Sequence, residues 1–463
     1  MTTTDRAQPA LSALRDELKD RLIEPTDPDY DELRTVVAGH IDRHPTAIAR
    51  VADAQDVARV IRFARDNGLE LAVRSGGHSG AGHGVTEGGI VIDVRDLKQL
   101  DIDPDARTAW AGSGVTAAEY TQAAVAHRLA TGFGDTGSVG LGGLILGGGV
   151  GYLVRKHGLT IDSLLGAEIV TADGEVLEVD ESSHSDLFWA IRGGGGNFGV
   201  VTRFKLRLQP LDGIVGGMLF LPATSETIVG FIAAAEAAPE ELSTIANVMN
   251  CPPMPFVPEE HHGKIVIMGM LCYAGDAEAG ERAIAPFRAL AEPLADMVKP
   301  GPLTDMYPEM FGPEEGSYRP IAAARTLFMD RVDEPTAAHI VERLEASDAS
   351  LRAVQLRVLG GAMARVAPDA TAFAHRDKRI VGNVAAFIDA PEQRTEREAW
   401  VNALTTDLRG DDHDAYVNFL EDEGAARVRD AYPEGTWERL AAIKRRYDPT
   451  NLFRLNQNVT PAA

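Results

Sequence analysis

Between Asp56 and Gly68 the apolar residues fall at positions 57, 60, 61 and 64. That is the spacing of one helical face, and Gly68 stands where a helix ends on a left-handed residue. Leu69, Leu71 and Val73 then alternate, which predicts a strand with those side chains on one face, running into Val73-Arg-Ser-Gly-Gly-His-Ser79. Gly89–Val94 reads as a buried strand. Thr116 with Glu119 forms a capping-box pattern opening a helix over 117–129. Asp173-Gly174 between Ile169-Val170 and Val176-Leu177 predicts a hairpin over 167–179.

Around Pro210 the glycine-rich pattern stops. Helical spacing at 225–238, 276–294 and 336–346 then alternates with strand patterns at 264–272, 355–359 and 380–387. This predicts an α+β unit with an antiparallel sheet. Near the end, Trp437, Leu440 and Ile443 share a helical face, followed by a turn at Asp448-Pro-Thr-Asn451. The acidic stretch Gly410-Asp-Asp-His-Asp414 reads as a solvated loop, with a metal site as the minor alternative.

A length of 463 residues exceeds one ordinary core, so two domains or three subdomains are expected. The formal net charge of −24 disfavours nucleic acid and anionic membranes, because a phosphate surface would repel it. A salt-tolerant acidic shell would leave the same signature. With Cys251 and Cys272 alone there is no disulfide framework and no metal cluster to expect, and a reducing, cytoplasmic setting is the default. No stretch has the length and apolarity of a signal peptide or membrane helix. Nothing in the pattern bears on oligomeric state.

Three glycine tracts dominate the first 200 residues: 75–80, Gly140-Leu-Gly-Gly-Leu-Ile-Leu-Gly-Gly-Gly-Val-Gly151, and Gly193–Gly199. Gly194-Gly-Gly-Asn-Phe-Gly199 spells a dinucleotide fingerprint, yet that motif needs a strand before it and a helix after it. Here Ser185–Arg192 is helical and Val200–Leu206 strand-like, so the order is reversed and a nicotinamide-binding unit is excluded. No Gly-Lys-Ser/Thr follows any tract, which excludes a Walker loop. Three tracts together suit a large dinucleotide wrapped by loops, with backbone N–H groups forming an anion nest beside His78.

These segments resemble the berberine-bridge-enzyme-like branch of the vanillyl-alcohol-oxidase (PCMH-type) flavoproteins. The resemblance rests on 73–79, on 140–151 with Arg155-Lys-His-Gly-Leu-Thr-Ile-Asp162, on Asp186–Gly199, on Tyr416-Val-Asn418 and on Tyr447–Asn458. It implies an α+β fold with a two-part FAD-binding domain, residues 1–210 plus a returning segment 411–463, and an inserted antiparallel-sheet substrate domain at 211–410. It also implies FAD bonded through its 8α carbon to His78. Cofactor contacts would come from Val73, Arg74, Ser75, Gly76, Gly77, His78, Ser79 and His83; from Thr136, Gly137, Ser138, Val139, Gly140, Gly142, Gly143, Gly147, Gly148, Gly149 and Gly151; from Asn197, Gly199, Val200 and Val201; and from Tyr416, Asn418 and Asn456. Many relatives add a second link from a cysteine, but Thr136 holds that position and a hydroxyl cannot replace a thiolate there. A single link is expected. Val139 falls at the family's oxygen-access position, where valine accompanies oxidases and leucine dehydrogenases.

The implied reaction takes a hydride from a C–H activated by oxygen or nitrogen, with O2 as the final acceptor and hydrogen peroxide as product. Tyr416 is the candidate base, provided a nearby charge lowers its pKa from about 10. Gln355 stands where several relatives carry an acidic base, and an amide can orient a substrate without accepting its proton. Either Tyr416 works alone or the substrate needs no strong base, as with an amine or an easily ionised phenol. Tyr273, Tyr307, Tyr318, Arg325 and His375 are further pocket candidates. Two other classes remain open: a flavin-scaffold protein that sequesters a metabolite or drug, and a dehydrogenase with another electron acceptor.

Overall fold

The computed structural model describes residues 3–307 and 319–463. The first sheet runs in the order Leu22–Ile23, Ala47–Arg50, Ile90–Asp93, Leu71–Arg74. Both flanking neighbours of Ile90–Asp93 lie parallel to it, and all four of its residues are buried. The crossover between parallel partners is the helix Ala54–Asn67, which buries Val57, Val60, Ile61 and Ala64. Asp53 caps it by accepting from the Asp56 N–H, and Gly68 closes it at φ 64°. The strand after it departs from simple alternation: Leu71, Ala72 and Arg74 are buried while Val73 is exposed. Both faces of a parallel sheet are covered, so period two fails there.

A second, antiparallel sheet orders Leu100–Asp103, Thr108–Gly112, Val200–Arg207, Leu164–Val170 and Val176–Val179. Its last two strands form the expected hairpin, pairing Val170 with Val176, with Gly174 at φ 82°. The capping box at Thr116 is present, but the helix ends at Val125 rather than 129. Arg128 takes φ 58°, and Leu129–Ala130 pairs with Gln209–Pro210 instead.

Among the described residues of 214–387 an eight-stranded antiparallel sheet forms. Its central order is Ile214–Pro222, Ile265–Ala274, Leu242–Asn250, Arg352–Val358, Ile380–Phe387, Ala322–Met329. Helices Ser225–Ala237, Ala277–Arg288, Glu334–Glu345 and Arg394–Arg409 cover one face, where Val248, Leu271, Val354, Leu356 and Val384 are completely buried. The helix expected to reach 294 stops at Arg288, because Pro293 disfavours helical backbone at the residue before it. The other face carries Ile245, Met249, Met268, Met270 and Cys272, packed with Tyr152 and Leu153 of the glycine-rich half. Cys251 and Cys272 are free and buried.

The tail returns to the first half through a buried clasp. Lys444 donates to the carbonyls of Asn197 (2.7 Å) and Phe453 (2.8 Å) and to Asp448 (2.7 Å). Both Lys444 and Asp448 are fully buried, and the Asp448 carboxylate also accepts the Leu452 and Phe453 N–H groups. The acidic loop differs from the solvated expectation. Asp412 and Asp414 both pair with Lys378 at 2.7 Å, and Asp414 faces His375 at 3.4 Å. No helix among the described residues is long and apolar enough to cross a membrane, and none of their acidic, cysteine and histidine side chains cluster as a metal site.

Candidate active site

After Arg74 the chain turns at Gly77, φ 71°. None of the backbone N–H groups of residues 76–81 donates to a protein acceptor among the described residues. A run of unspent donors is a ready anion cradle. His78 sits on it with Nε2 at 3.1 Å from the Ser138 hydroxyl. Burial of the ring lowers its pKa, so the imidazole is neutral near pH 7. His83 lies on the same loop and is pushed down to about 4 by burial, with Arg43 adding to the effect; its N–H reaches Ser79 Oγ at 3.4 Å. Arg74 serves the loop from behind: it is buried and donates to the Leu33 and Thr35 carbonyls.

The tracts meet one another. A Cβ on Gly76 would stand 2.5 Å from the Gly140 nitrogen, and one on Gly142 would press on Ser75 and the Ser113 carbonyl at 3.1 Å. The Leu146 carbonyl, at the end of the short helix Leu141–Leu146, accepts from both Gly193 (2.9 Å) and Gly195 (3.0 Å). Gly137 packs on Ala118 and Tyr307, Gly149 on Thr160, Gly151 on the Phe133 carbonyl and Gly199 on the Val170 carbonyl. Much of the glycine content therefore serves contact of backbone with protein, whereas the sequence pattern alone had suggested contact with a ligand. Gly143 and Gly196 are the open positions, where a Cβ would meet nothing within 4 Å.

Asn197 is fully engaged as a fastener. It donates to the Gly194 and Gln457 carbonyls and accepts the Val459 N–H. Val200 and Val201 are buried at the start of their strand. Asn456 reaches the Gly196 carbonyl at 3.2 Å, while its own Oδ1 is buried and has no partner among the described residues.

Tyr416 and Asn418 close the second tract. Gly147 leaves room for Asn418, and Gly148 lies against the Tyr416 ring. The Tyr416 oxygen accepts the Gly149 N–H at 2.9 Å and Asn418 Nδ2 at 3.1 Å; Asn418 also donates to the Leu144 carbonyl at 3.0 Å. The condition for Tyr416 as base is not met. Burial raises its pKa and outweighs the two donors and the Arg357 charge, which pull the other way.

Gln355 lies on the sheet face toward these loops. Its Oε1 accepts from Arg357, its Nε2 donates to Asn247 Oδ1 at 2.7 Å, and Arg357 is ion-paired with Asp135. Arg357, Asp135 and Asn247 were absent from the sequence-based set. Arg357 was legible as the next same-face residue after Gln355 on an alternating strand. Thr136 is exposed, with its hydroxyl 3.4 Å from its neighbour Asp135. Val139 is half-buried beside Ser138. Among the other candidates, Tyr307 donates to the Gly134 carbonyl and packs edge-on to Tyr152. Tyr273 packs in the helix-side core, Arg325 pairs with Glu421 and Glu423, and Tyr318 lies outside the described residues.

Comparison with known proteins adds a relationship to this geometry. Residues 45–180 match the family model described as FAD binding domain, and residues 415–460 that described as berberine and berberine like. The (R)-6-hydroxynicotine oxidase of Paenarthrobacter nicotinovorans is 32% identical over 96% of this chain and 97% of its own. The solved 6-hydroxy-D-nicotine oxidase from Arthrobacter nicotinovorans superposes with a TM-score of 0.83 at 29% identity, covering 96% of this chain and 98% of that one. A Physcomitrella patens BBE-like 1 structure gives 0.84 at 21% identity, over 97% of this chain and 99% of that one, a likeness of fold.

Proposed function

The chain belongs to the berberine-bridge-like FAD-linked oxidoreductases, and on that premise we propose that it is an oxidase acting on an activated C–H of a small molecule, with O2 as final acceptor. The substrate classes in view are an alcohol, a sugar, an amine or a secondary-metabolite intermediate. The residues fit the cofactor: unspent N–H groups at 76–81 suit a diphosphate, Gly143 and Gly196 leave open space, and Gly196 adjoins Asn456, whose Oδ1 is buried without a partner among the described residues. When bound, FAD supplies the two-electron chemistry, taking the hydride and passing the electrons to dioxygen with release of hydrogen peroxide.

The observation that carries the reading is the placement of a neutral His78 on the unpaired N–H run, its Nε2 held by Ser138. With Nε2–H donating to Ser138 Oγ, the neutral imidazole leaves the lone pair of Nδ1 free, the tautomer a covalent link requires. One link is inferred: Thr136 has no thiol, and Cys272 is buried in the large sheet with its pKa pushed up to about 12. Tyr416 stays a neutral phenol. No protein acceptor among the described residues takes its proton, so it can donate to a bound molecule while holding the 147–149 loop. Gln355 is locked by Arg357 and Asn247 and orients rather than deprotonates. Val139, half-buried beside Ser138, stands at the position where valine accompanies oxidases in the family this chain resembles, which supports dioxygen as acceptor. The protein works as a cytoplasmic enzyme in this reading.

Aerobic turnover with peroxide formation across a panel of alcohols, sugars and cyclic amines tests the proposal; flavin that bleaches anaerobically but returns no peroxide in air would make it a dehydrogenase instead. The amide at 355 and the neutral Tyr416 also favour a second reading, a protein that sequesters its ligand. Under that reading no ligand bleaches the flavin.

A further inference from the structure

We propose that Met268 and Met270 are modification sites: peroxide formed at the junction of the glycine loops and the large sheet oxidises their thioethers to sulfoxides, so that turnover limits the enzyme's own working life. This rests on the oxidase reading.

The methionines are gathered on one face of the large sheet. Met218, Met249, Met268, Met270 and Met306 are buried together, Met254 packs against them, and Tyr152 and Leu153 of the glycine-rich half belong to the same cluster. Two rungs of the sheet carry this lining up to the site. Phe220, Met268, Asn247 and Gln355 stand side by side on four neighbouring strands, and Met218, Met270, Ile245 and Arg357 form the adjacent rung. Directly paired residues share a face, so both thioethers stand on the face that carries Gln355. Two strand spacings put Met268 about 10 Å from Gln355 along its rung.

Of the sulfur groups here, the thioethers are the ones peroxide can use. A thiol reacts as its thiolate, and burial pushes Cys272 up to about 12 and raises Cys251 as well. A thioether needs no ionisation. Its sulfur loses two electrons as the peroxide O–O bond breaks; one oxygen bonds to sulfur, and the other leaves with both protons as water. Met268 and Met270 are 8% and 5% exposed, so neither is sealed off. Met329 is the internal comparison: it is also 5% exposed, yet it belongs to the helix-side core of the same sheet. Met297, 39% exposed, reports peroxide arriving from solvent. A sulfoxide is polar, and one beside Phe220 or Ile245 breaks the apolar packing that joins the two halves.

The test uses the flavin-loaded protein and needs no substrate. Flavin is reduced anaerobically with dithionite, excess reductant is removed by gel filtration, and air is admitted, over repeated cycles with catalase in solution. Catalase is too large to enter the junction and destroys only peroxide that escapes, so sulfoxides mapped by peptide mass spectrometry report peroxide acting before release. Met268 and Met270 should gain at least roughly fivefold more sulfoxide than Met329, because peroxide released beside them meets them undiluted. Hydrogen peroxide added to resting protein should instead mark Met297 first. The Met268→Leu/Met270→Leu variant conserves core volume. Cycling should lower the melting temperature of the unaltered protein by several degrees and leave that of the variant in place. If the variant does not fold, the peptide map of the unaltered chain decides. Unmodified Met268 and Met270 after cycles that yield peroxide in a catalase-free run, equal oxidation of Met329, or one pattern for both peroxide sources would overturn the inference and leave the oxidase reading standing. Reoxidation in air without peroxide would remove that reading and the inference with it.

Discussion

Replacing Tyr416 by phenylalanine separates a fastener from a base. The phenolic oxygen accepts two donors, the Gly149 N–H at 2.9 Å and Asn418 Nδ2 at 3.1 Å, in a residue only 2% exposed. Removing the oxygen strands both. A buried donor left without a partner costs about 1–3 kcal/mol, so the pair costs roughly 2–4 kcal/mol with Asn418 keeping its bond to the Leu144 carbonyl. A loss of that size lowers the melting temperature by several degrees. The 147–149 loop loosens with it, and flavin reduction slows through misplacement by less than about tenfold. Loss of a general base would instead cost about 10²–10⁴-fold. Anaerobic stopped-flow reduction alongside calorimetry reads both quantities. A fall of a hundredfold or more with unchanged melting would refute the reasoning, because Tyr416 would then be moving the proton despite the burial that raises its pKa.

Three further outcomes are expected. Lys444→Met leaves the fully buried Asp448 carboxylate without its cation and should cost about 3–5 kcal/mol, read by denaturant unfolding; a cost under about 1 kcal/mol would mean the clasp forms without the charge. Gly147→Ala places a Cβ against Asn418 Oδ1, so Asn418 and the Tyr416 bond must shift; overpacking costs about 1–3 kcal/mol, and near-native melting would contradict the close approach. His83 and His157 are each pushed down to about 4, chiefly by burial, so the unfolded chain takes up their protons first as pH falls below the ordinary histidine value. Stability is therefore lost between about pH 6.5 and 4, and His83→Gln should flatten that decline in a melting-temperature series.

The helix ending at Gly68, the 167–179 hairpin and the Thr116 capping box were legible because each depends on neighbours in sequence. The strand Leu242–Asn250 was not: all nine residues are buried, and its Ser, Thr and Asn positions hide any alternation. Helix ends at Val125 and Arg288 were overrun for different reasons: a distant strand pairing sets the first, while the second yields to Pro293, which lay inside the periodic window. The glycine tracts announced themselves, yet composition could not tell glycines that touch protein from those left open, because Gly76 meets Gly140 across 64 residues of chain. The pairing of Asp135 with Arg357 escaped for the same reason, since it spans 222 residues and Asp135 belongs to no local motif.

The central claim is a single flavin anchored at position 78. Acid-precipitated, proteolysed protein should yield one yellow peptide containing His78 with the mass of the flavin added, and none from His78→Ala. Colourless precipitate from flavin-replete protein, or a flavin-bearing peptide that lacks His78, would contradict the account.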